Sequence, residues 1–235
     1  MNQEKTAKYL DIITALFAVI LVTSNVASSA KIIDLKLTVF GIHLAFDGGT
    51  LLFPLSYVLG DILTEVYGFR AARRVIWTGF LCLALSALMF FILDRLPPDP
   101  VWEGYAGSTA YRAILGGMST GGIVIASLCA YLAGEFSNSI IHSRMKVIFK
   151  GRLLWVRTIG GSIIGELLDS LIFIGLATLT GIFARELFFT LALTNYLLKL
   201  SVEVIVTPAI YLTVGLLKKA EGLDVYDTGI KYRIF

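Results

Sequence analysis

The sequence predicts an all-α fold, a polytopic membrane protein built as a six-transmembrane-helix bundle. Three observations carry that expectation. Hydrophobic residues make up 57% of the 235-residue chain and mean hydropathy is +0.81, whereas a soluble domain is about 45–50% apolar. The apolar residues fall into long stretches, and at roughly 20 residues per span the length fits about six helices with short links. The basic residues gather in alternate links. No soluble domain is left over, so residues 1–235 read as a single integral membrane domain.

Span one covers about Leu10–Ala30. Lys5 and Lys8, the apolar run and Ser28-Ser29-Ala30 also have the outline of a secretory signal. A multi-span protein uses its first span for targeting, and Asn25 inside the run suits a retained helix better. A polar, amphipathic link follows, Lys31–Asp47, with Gly48-Gly49 opening the next segment. Span two is about Thr50–Tyr67 and contains Pro54, which predicts a kink or a broken helix. Arg70, Arg73 and Arg74 form a short basic turn before span three, about Val75–Leu93, which ends at Pro97-Pro98-Asp99-Pro100. The link to about Gly117 holds Trp102, Tyr105 and Tyr111, side chains suited to a membrane interface. Span four is about Gly121–His142, span five about Leu153–Leu179 and span six about Leu187–Leu217, before a polar tail with Lys218 and Lys219.

With the N-terminus inside, the cytoplasmic segments hold Lys5, Lys8, Arg70, Arg73, Arg74, Arg144, Lys146, Lys150, Arg152, Lys218, Lys219, Lys231 and Arg233. The outside keeps Lys31, Lys36, Arg95, Arg112 and Arg185. That asymmetry follows the positive-inside rule and puts both termini in the cytoplasm, which needs an even number of spans. The net charge of +3 gives no reason to expect nucleic acid. Cys82 and Cys129 both fall in spans and read as buried apolar thiols, with neither a disulfide nor a metal site indicated.

The stretch Phe53–Gly68 is the most informative. It is mostly apolar yet carries Asp61 and Glu65, four apart and therefore on one helical face. A charged Asp at the bilayer centre costs roughly 2.5–3.5 kcal/mol even on lenient scales, so this face addresses a protein interior or a wet cavity. The same holds for Glu135, Glu166, Asp169 and Glu203, while the intramembrane bases are Arg157 and Lys199. Glu135 and Asn138 share a face, as do Glu166 and Asp169, and Lys199 and Glu203. Polar stripes on four spans converge if the bundle turns them inward. The surplus of acids suits a ligand rich in N–H groups or positively charged, and suits anions badly.

Each residue has a plainer reading as well. Lys199 and Glu203 form either a neutral intrahelical pair or part of a site. Asp61 and Glu65, close to Arg70, Arg73 and Arg157, anchor the cytoplasmic boundary if they do not line a cavity. Glu135 and Asn138 carry the same two readings, whereas Glu166 and Asp169 lie near mid-span and are hardest to explain structurally. Asn25 bonds helix to helix or meets substrate. His142 reads as interfacial, beside a basic loop. Tyr57, Tyr196, Tyr211 and Phe173 offer aromatic faces, and Gly160, Gly161 and Gly165 read as close helix contacts. Gly60-Asp61, Gly134-Glu135 and Gly165-Glu166 are a weak internal echo that does not establish a repeat.

The blocks FPLSYVLGDILTEVYGFRAARRVI, GEFSNSIIHSRMK and LWVRTIGGSIIGELLDSLIFI, with Lys199, Glu203 and Thr207-Pro208 in order, resemble the queuosine precursor transporter family, also called the vitamin uptake transporter family. The similarity runs from span one to Tyr226-Asp227. It implies a six-helix bundle similar to the substrate-binding subunits of energy-coupling-factor transporters. It also implies uptake, across the bacterial inner membrane, of 7-cyano- and 7-aminomethyl-7-deazaguanine for tRNA queuosine modification. Asn25, Asp61, Glu65, Glu135, Asn138, Arg157, Glu166, Asp169, Lys199 and Glu203 all fall in the matching blocks as candidate substrate-binding residues. A guanine-like base presents neighbouring donors that one carboxylate accepts together, and acids meet base amines in this way elsewhere. Glu166 or Asp169, assisted by Glu135 and Asn138, would read that edge, with Lys199 or Asn25 at the base carbonyl. The implied partners are this nucleobase-like molecule and the lipid bilayer, with no cofactor, metal or catalytic residue; a homodimer is left open. Two other readings are a vitamin-binding subunit of an ATP-driven complex and an intramembrane aspartyl enzyme using Asp61 and another acid. The chain has no P-loop and no HExxH pattern.

Overall fold

The computed structural model describes residues 7–39, 42–119, 121–181 and 184–234, so Lys5 lies outside the described residues. Helices dominate: α1 (Leu10–Ala30), α2 (Phe53–Tyr67), α3 (Phe69–Arg95), α4 (Pro100–Tyr105), α5 (Gly107–Ser119), α6 (Gly121–Ile148), α7 (Leu154–Leu179) and α8 (Phe188–Glu221). Five apolar stretches are long enough to cross a membrane: α1, α3, residues 107–148, α7 and α8. Their outward faces carry bare aliphatic side chains such as Leu81, Leu85, Ile205 and Leu212, as lipid-facing surfaces do. The chain is a predominantly helical polytopic membrane protein.

The predicted second span differs in kind from the rest. As the 15-residue helix α2 it is only about 22 Å long at 1.5 Å per residue, short of a bilayer core of about 30 Å. Pro54 sits in its first turn, where a missing N–H costs nothing, rather than kinking it. Gly68 ends it with φ +81°, a conformation that glycine adopts without strain. The helix is the hub of the bundle. Val58, Ile62 and Val66 join a core with Ile13, Phe17 and Leu21 of α1 and with Val75 and Ile76 of α3. Asp61 and Glu65, on the adjoining side of the helix, are turned toward α6, α7 and α8.

Within the polar, amphipathic link Lys31–Asp47, β1 (Ile32–Val39) and β2 (Ile42–Asp47) pair as an antiparallel hairpin. Ile32 pairs with Asp47 and Val39 with Ile42. Asp47 locks the exit: its carboxylate accepts from Gly49 and Thr50 amides at 3.0 and 3.2 Å and from the Ser28 hydroxyl of α1. Arg70, Arg73 and Arg74 belong to the first turns of α3, which starts at Phe69 rather than near Val75. Cys129 is exposed and Cys82 half-buried, so the expectation of two buried thiols fails; Cys129 lies on an outward side of α6.

The tail after α8 packs across one end of the bundle. Val225 lies over Gly68, where a Cβ would come within 2.7 Å of its Cγ1. Asp227 accepts from the Phe69 amide at 2.8 Å and the Ser143 hydroxyl at 2.6 Å, capping α3 from a distance in sequence.

Candidate functional site

Three glycines bring the polar stripes together. A Cβ on Gly165 would lie 2.8 Å from the Gly134 carbonyl oxygen and 2.9 Å from Asn138 Cβ, so α6 and α7 cross backbone to backbone there. A Cβ on Gly134 would collide with the Tyr57 hydroxyl and approach Asp169 Cβ at 2.9 Å. A Cβ on Gly60 would lie 2.8 Å from Glu135 Oε2. The three Gly-acid pairs thus have a packing role in common: Gly134 and Gly165 let α6 and α7 close on each other, and Gly60 leaves room for the Glu135 carboxyl group. Gly161 does the same for the Asn138 side chain.

The buried polar groups divide into two regions. At the end covered by the tail, Glu65 is the centre of a cationic cage. Arg157 reaches it at 2.8 Å, Lys218 at 2.6 Å, His142 Nε2 at 3.0 Å and Lys146 at 3.6 Å. His142 is fully buried, its other ring nitrogen 3.3 Å from Asp61, and Asn138 donates to Asp61 at 2.9 Å. Lys146 and Lys218 both continue to Asp224 in the tail, at 2.5 and 2.8 Å. Glu65 and Arg157 bind each other, apart from the cavity described below, and His142, expected at the interface, is instead an interior group. Asp224 lies outside the spans; burial raises its carboxyl, but hydrogen bonds from Lys146 and Lys218 outweigh that and hold it below the usual carboxylate value.

Deeper in the bundle, Glu135 of α6, Glu166 of α7 and Glu203 of α8 are completely buried. None of their carboxyl oxygens has a hydrogen-bond partner among the described residues. Glu203 is in electrostatic reach of Asp61, Glu166 and Glu135, and Glu166 of Lys199, Asp169, Asp61 and Glu135. Ser56 lies beside Glu135 but gives its hydrogen to the Phe53 carbonyl at 2.8 Å. Of the two readings of Lys199 and Glu203, the intrahelical pair is not the one adopted: Lys199 crosses to Asp169 of α7 at 2.5 Å and stands 4.5 Å from the centre of the Phe53 ring. Glu203 is left in the acid layer.

The Asp169–Lys199 pair forms one wall of a cavity of about 40 Å³, room for about three waters. Asn25 and Ser28 of α1, Asp47, Thr50, Phe53, Ser127 of α6, Phe173 and Asn195 are among its other lining residues. Asn25 is held there by Ser127 and by its own bond to the Leu21 carbonyl. Ser28, Asp47, Phe173 and Asn195 are shared with a wider chamber of about 400 Å³ between the hairpin, α5, α7 and α8. Of the ten sequence candidates, Asn25, Asp169 and Lys199 touch this cavity, and Asp61, Glu135, Asn138, Glu166 and Glu203 form the layer beside it. Asp47, Phe53 and Asn195 were missed. Asn195 stands one turn before Lys199 in the same helix and was legible by that spacing, whereas Asp47 lies in a link and gave no signal. Gly117-Met118-Ser119-Thr120-Gly121 spells a G-x-S-x-G pattern. Ser119 ends helix α5 and donates to the Gly116 carbonyl; it is not on the strand-to-helix turn that an exposed nucleophile needs.

Apolar outer faces, a buried acid layer and an adjoining polar cavity define a polytopic membrane protein with a polar interior. Residues 47–213 match the family model described as "Putative vitamin uptake transporter", and the chain belongs to that family, one of transporters and not of enzymes. It is 29% identical over 164 residues to the "Probable queuosine precursor transporter" of Bacillus subtilis (strain 168), covering 69% of each chain. Its identity to the "Probable queuosine precursor transporter" of Haemophilus influenzae is 25%, over 74% of this chain and 72% of the relative. To the "Queuosine precursor transporter" of Escherichia coli (strain K12) it is 22%, over 77% and 76%. No solved structure matches the chain.

Proposed function

We propose that this chain imports queuosine precursors, 7-cyano- or 7-aminomethyl-7-deazaguanine, across the bacterial inner membrane as a single integral domain. The observation that carries the reading is the acid layer shared by α2, α6, α7 and α8 beside a cavity with Phe53 and Phe173 in its wall. Asp169 accepts from the base's paired donors, with Glu166 behind it and Glu135 and Asn138 in support. Asn25 or Lys199 meets the carbonyl, and the aromatic rings stack on the base plane. Lys199 is already bonded to Asp169, so substrate exchanges one partner for another instead of meeting a bare ammonium. A bicyclic base is larger than the inner cavity and is admitted through the hairpin-side chamber, which the positive-inside rule places outside. Both termini are then cytoplasmic, and α2 is the sixth segment of a bundle similar to energy-coupling-factor substrate subunits. Glu65 and Arg157 close the cytoplasmic end.

The test is rescue. In cells unable to make the precursor, expression of this chain restores queuosine in tRNA at low external base, and Asp169→Asn or Glu166→Gln lowers it. Failure of the wild-type chain to rescue, with the protein present in the membrane, overturns the reading. The family's description names vitamin uptake; a second reading is therefore a vitamin as cargo, with the chain as the binding subunit of an ATP-driven complex, which would abolish uptake when the chain is expressed alone.

A further inference from the structure

We propose that the groove between the first turns of α3 and the C-terminal tail binds the headgroup of an anionic phospholipid. The groove, about 580 Å³, is lined by Arg70, Arg73 and Arg74 of α3 and by Lys231 and Arg233 of the tail. The tail is fixed along the helix. Gly229 turns the chain with φ +71°, Tyr232 packs on Phe69 with ring centres 5.1 Å apart, and Arg73 donates to the Arg233 carbonyl at 3.0 Å. Trp77, one turn further along, donates to the Ile234 carbonyl at 2.9 Å. Backbone bonds thus gather five cationic side chains that would otherwise repel one another.

The nearby acids are engaged elsewhere: Asp224 with Lys146 and Lys218, Asp227 with the Phe69 amide and Ser143. Among the described residues no carboxylate lies within ion-pair distance of Arg70, Arg74, Lys231 or Arg233. Clustered guanidinium groups favour phosphate oxygens, which they bind in pairs.

The rest of α3 selects a lipid over free phosphate. Arg70, Arg74, Leu81, Leu85 and Leu88 fall within an arc of about 60° on a helix of 3.6 residues per turn. Leu81, Leu85 and Leu88 are 64%, 65% and 53% exposed. One face of a spanning helix therefore starts with two arginines at headgroup depth and continues as an apolar stripe for an acyl chain. Free phosphate matches only the first part; an anionic phospholipid matches both.

Native mass spectrometry of the full chain in detergent tests this, with phosphatidylglycerol, phosphatidylcholine and inorganic phosphate as the three additions. Phosphatidylglycerol is retained over phosphatidylcholine. A basic residue near an anionic surface contributes about fivefold, so Arg70→Gln/Arg74→Gln weakens phosphatidylglycerol about thirtyfold. Lys231→Gln/Arg233→Gln does the same from the other wall. Each variant keeps wild-type retention of phosphatidylcholine, which shows that it is folded. Equal retention of the two lipids, undiminished phosphatidylglycerol binding in both variants, or complete displacement of phosphatidylglycerol by millimolar inorganic phosphate each overturns the proposal.

Discussion

Replacing Lys199 with Met tests the seam between α7 and α8. Lys199 and Asp169 are 8% and 3% exposed and their charged atoms are 2.5 Å apart. Met keeps the length of the side chain and removes the charge. Asp169 is then left without its cation beside Glu166 and Glu135, which are buried and have no hydrogen-bond partner among the described residues. Removing one member of a buried pair typically costs about 3–5 kcal/mol, because the other charge is left uncompensated. Adding Asp169→Asn removes the orphaned charge, so Lys199→Met/Asp169→Asn recovers part of the loss, with a coupling of about 0.5–3 kcal/mol. The assay is unfolding of the purified full chain in mixed micelles, followed by tryptophan fluorescence, for wild type, both single variants and the double. A Lys199→Met stability within about 0.5 kcal/mol of wild type, or a double variant equal to the sum of the singles, would refute the buried pair.

Other consequences are equally direct. Gly165→Ala pushes a methyl against the Gly134 carbonyl and Asn138 and lowers stability by about 1–3 kcal/mol. Gly215→Ala, whose methyl meets nothing within 4 Å, is neutral or gains up to about 1 kcal/mol; thermal unfolding compares the two. Asp227→Ala removes the cap on α3 and the bond to Ser143, costs about 1–2 kcal/mol and speeds protease cleavage of the tail. Asp224 has a depressed folded value, so its contribution is full above the ordinary carboxylate value and is lost as pH falls through the folded one. Protease sensitivity of the tail therefore rises as pH drops through and below that range, and Asp224→Asn flattens the response.

The membrane class was legible because a run of about 20 apolar residues has few other uses. The helix α2 was legible in place but not in length, since hydropathy does not reveal that a segment crosses as a short helix enclosed by protein. The hairpin was missed because its link was judged by polarity, although Leu35, Leu37 and Val39 alternate with Lys36 and Thr38 as a strand requires. Helical spacing placed the acids on shared faces but could not name what stands opposite. Lys199 therefore went to Asp169 rather than to Glu203. His142, Lys146 and Lys218 occur at helix ends, where interfacial residues are expected. The tail folds over those ends and turns them into interior groups, a tertiary event that no local pattern encodes. Asp47 is positioned by the hairpin and was invisible for the same reason.

The central claim is that the buried acid layer and its cavity carry a donor-rich base through the membrane. Tracer flux of a labelled 7-deazaguanine into liposomes containing only this purified chain measures that most directly. Saturable uptake by the wild-type chain, abolished or strongly reduced by Asp169→Asn and by Glu166→Gln, is the expected result. Wild-type flux in both variants, or no flux through a folded wild-type chain, would contradict it.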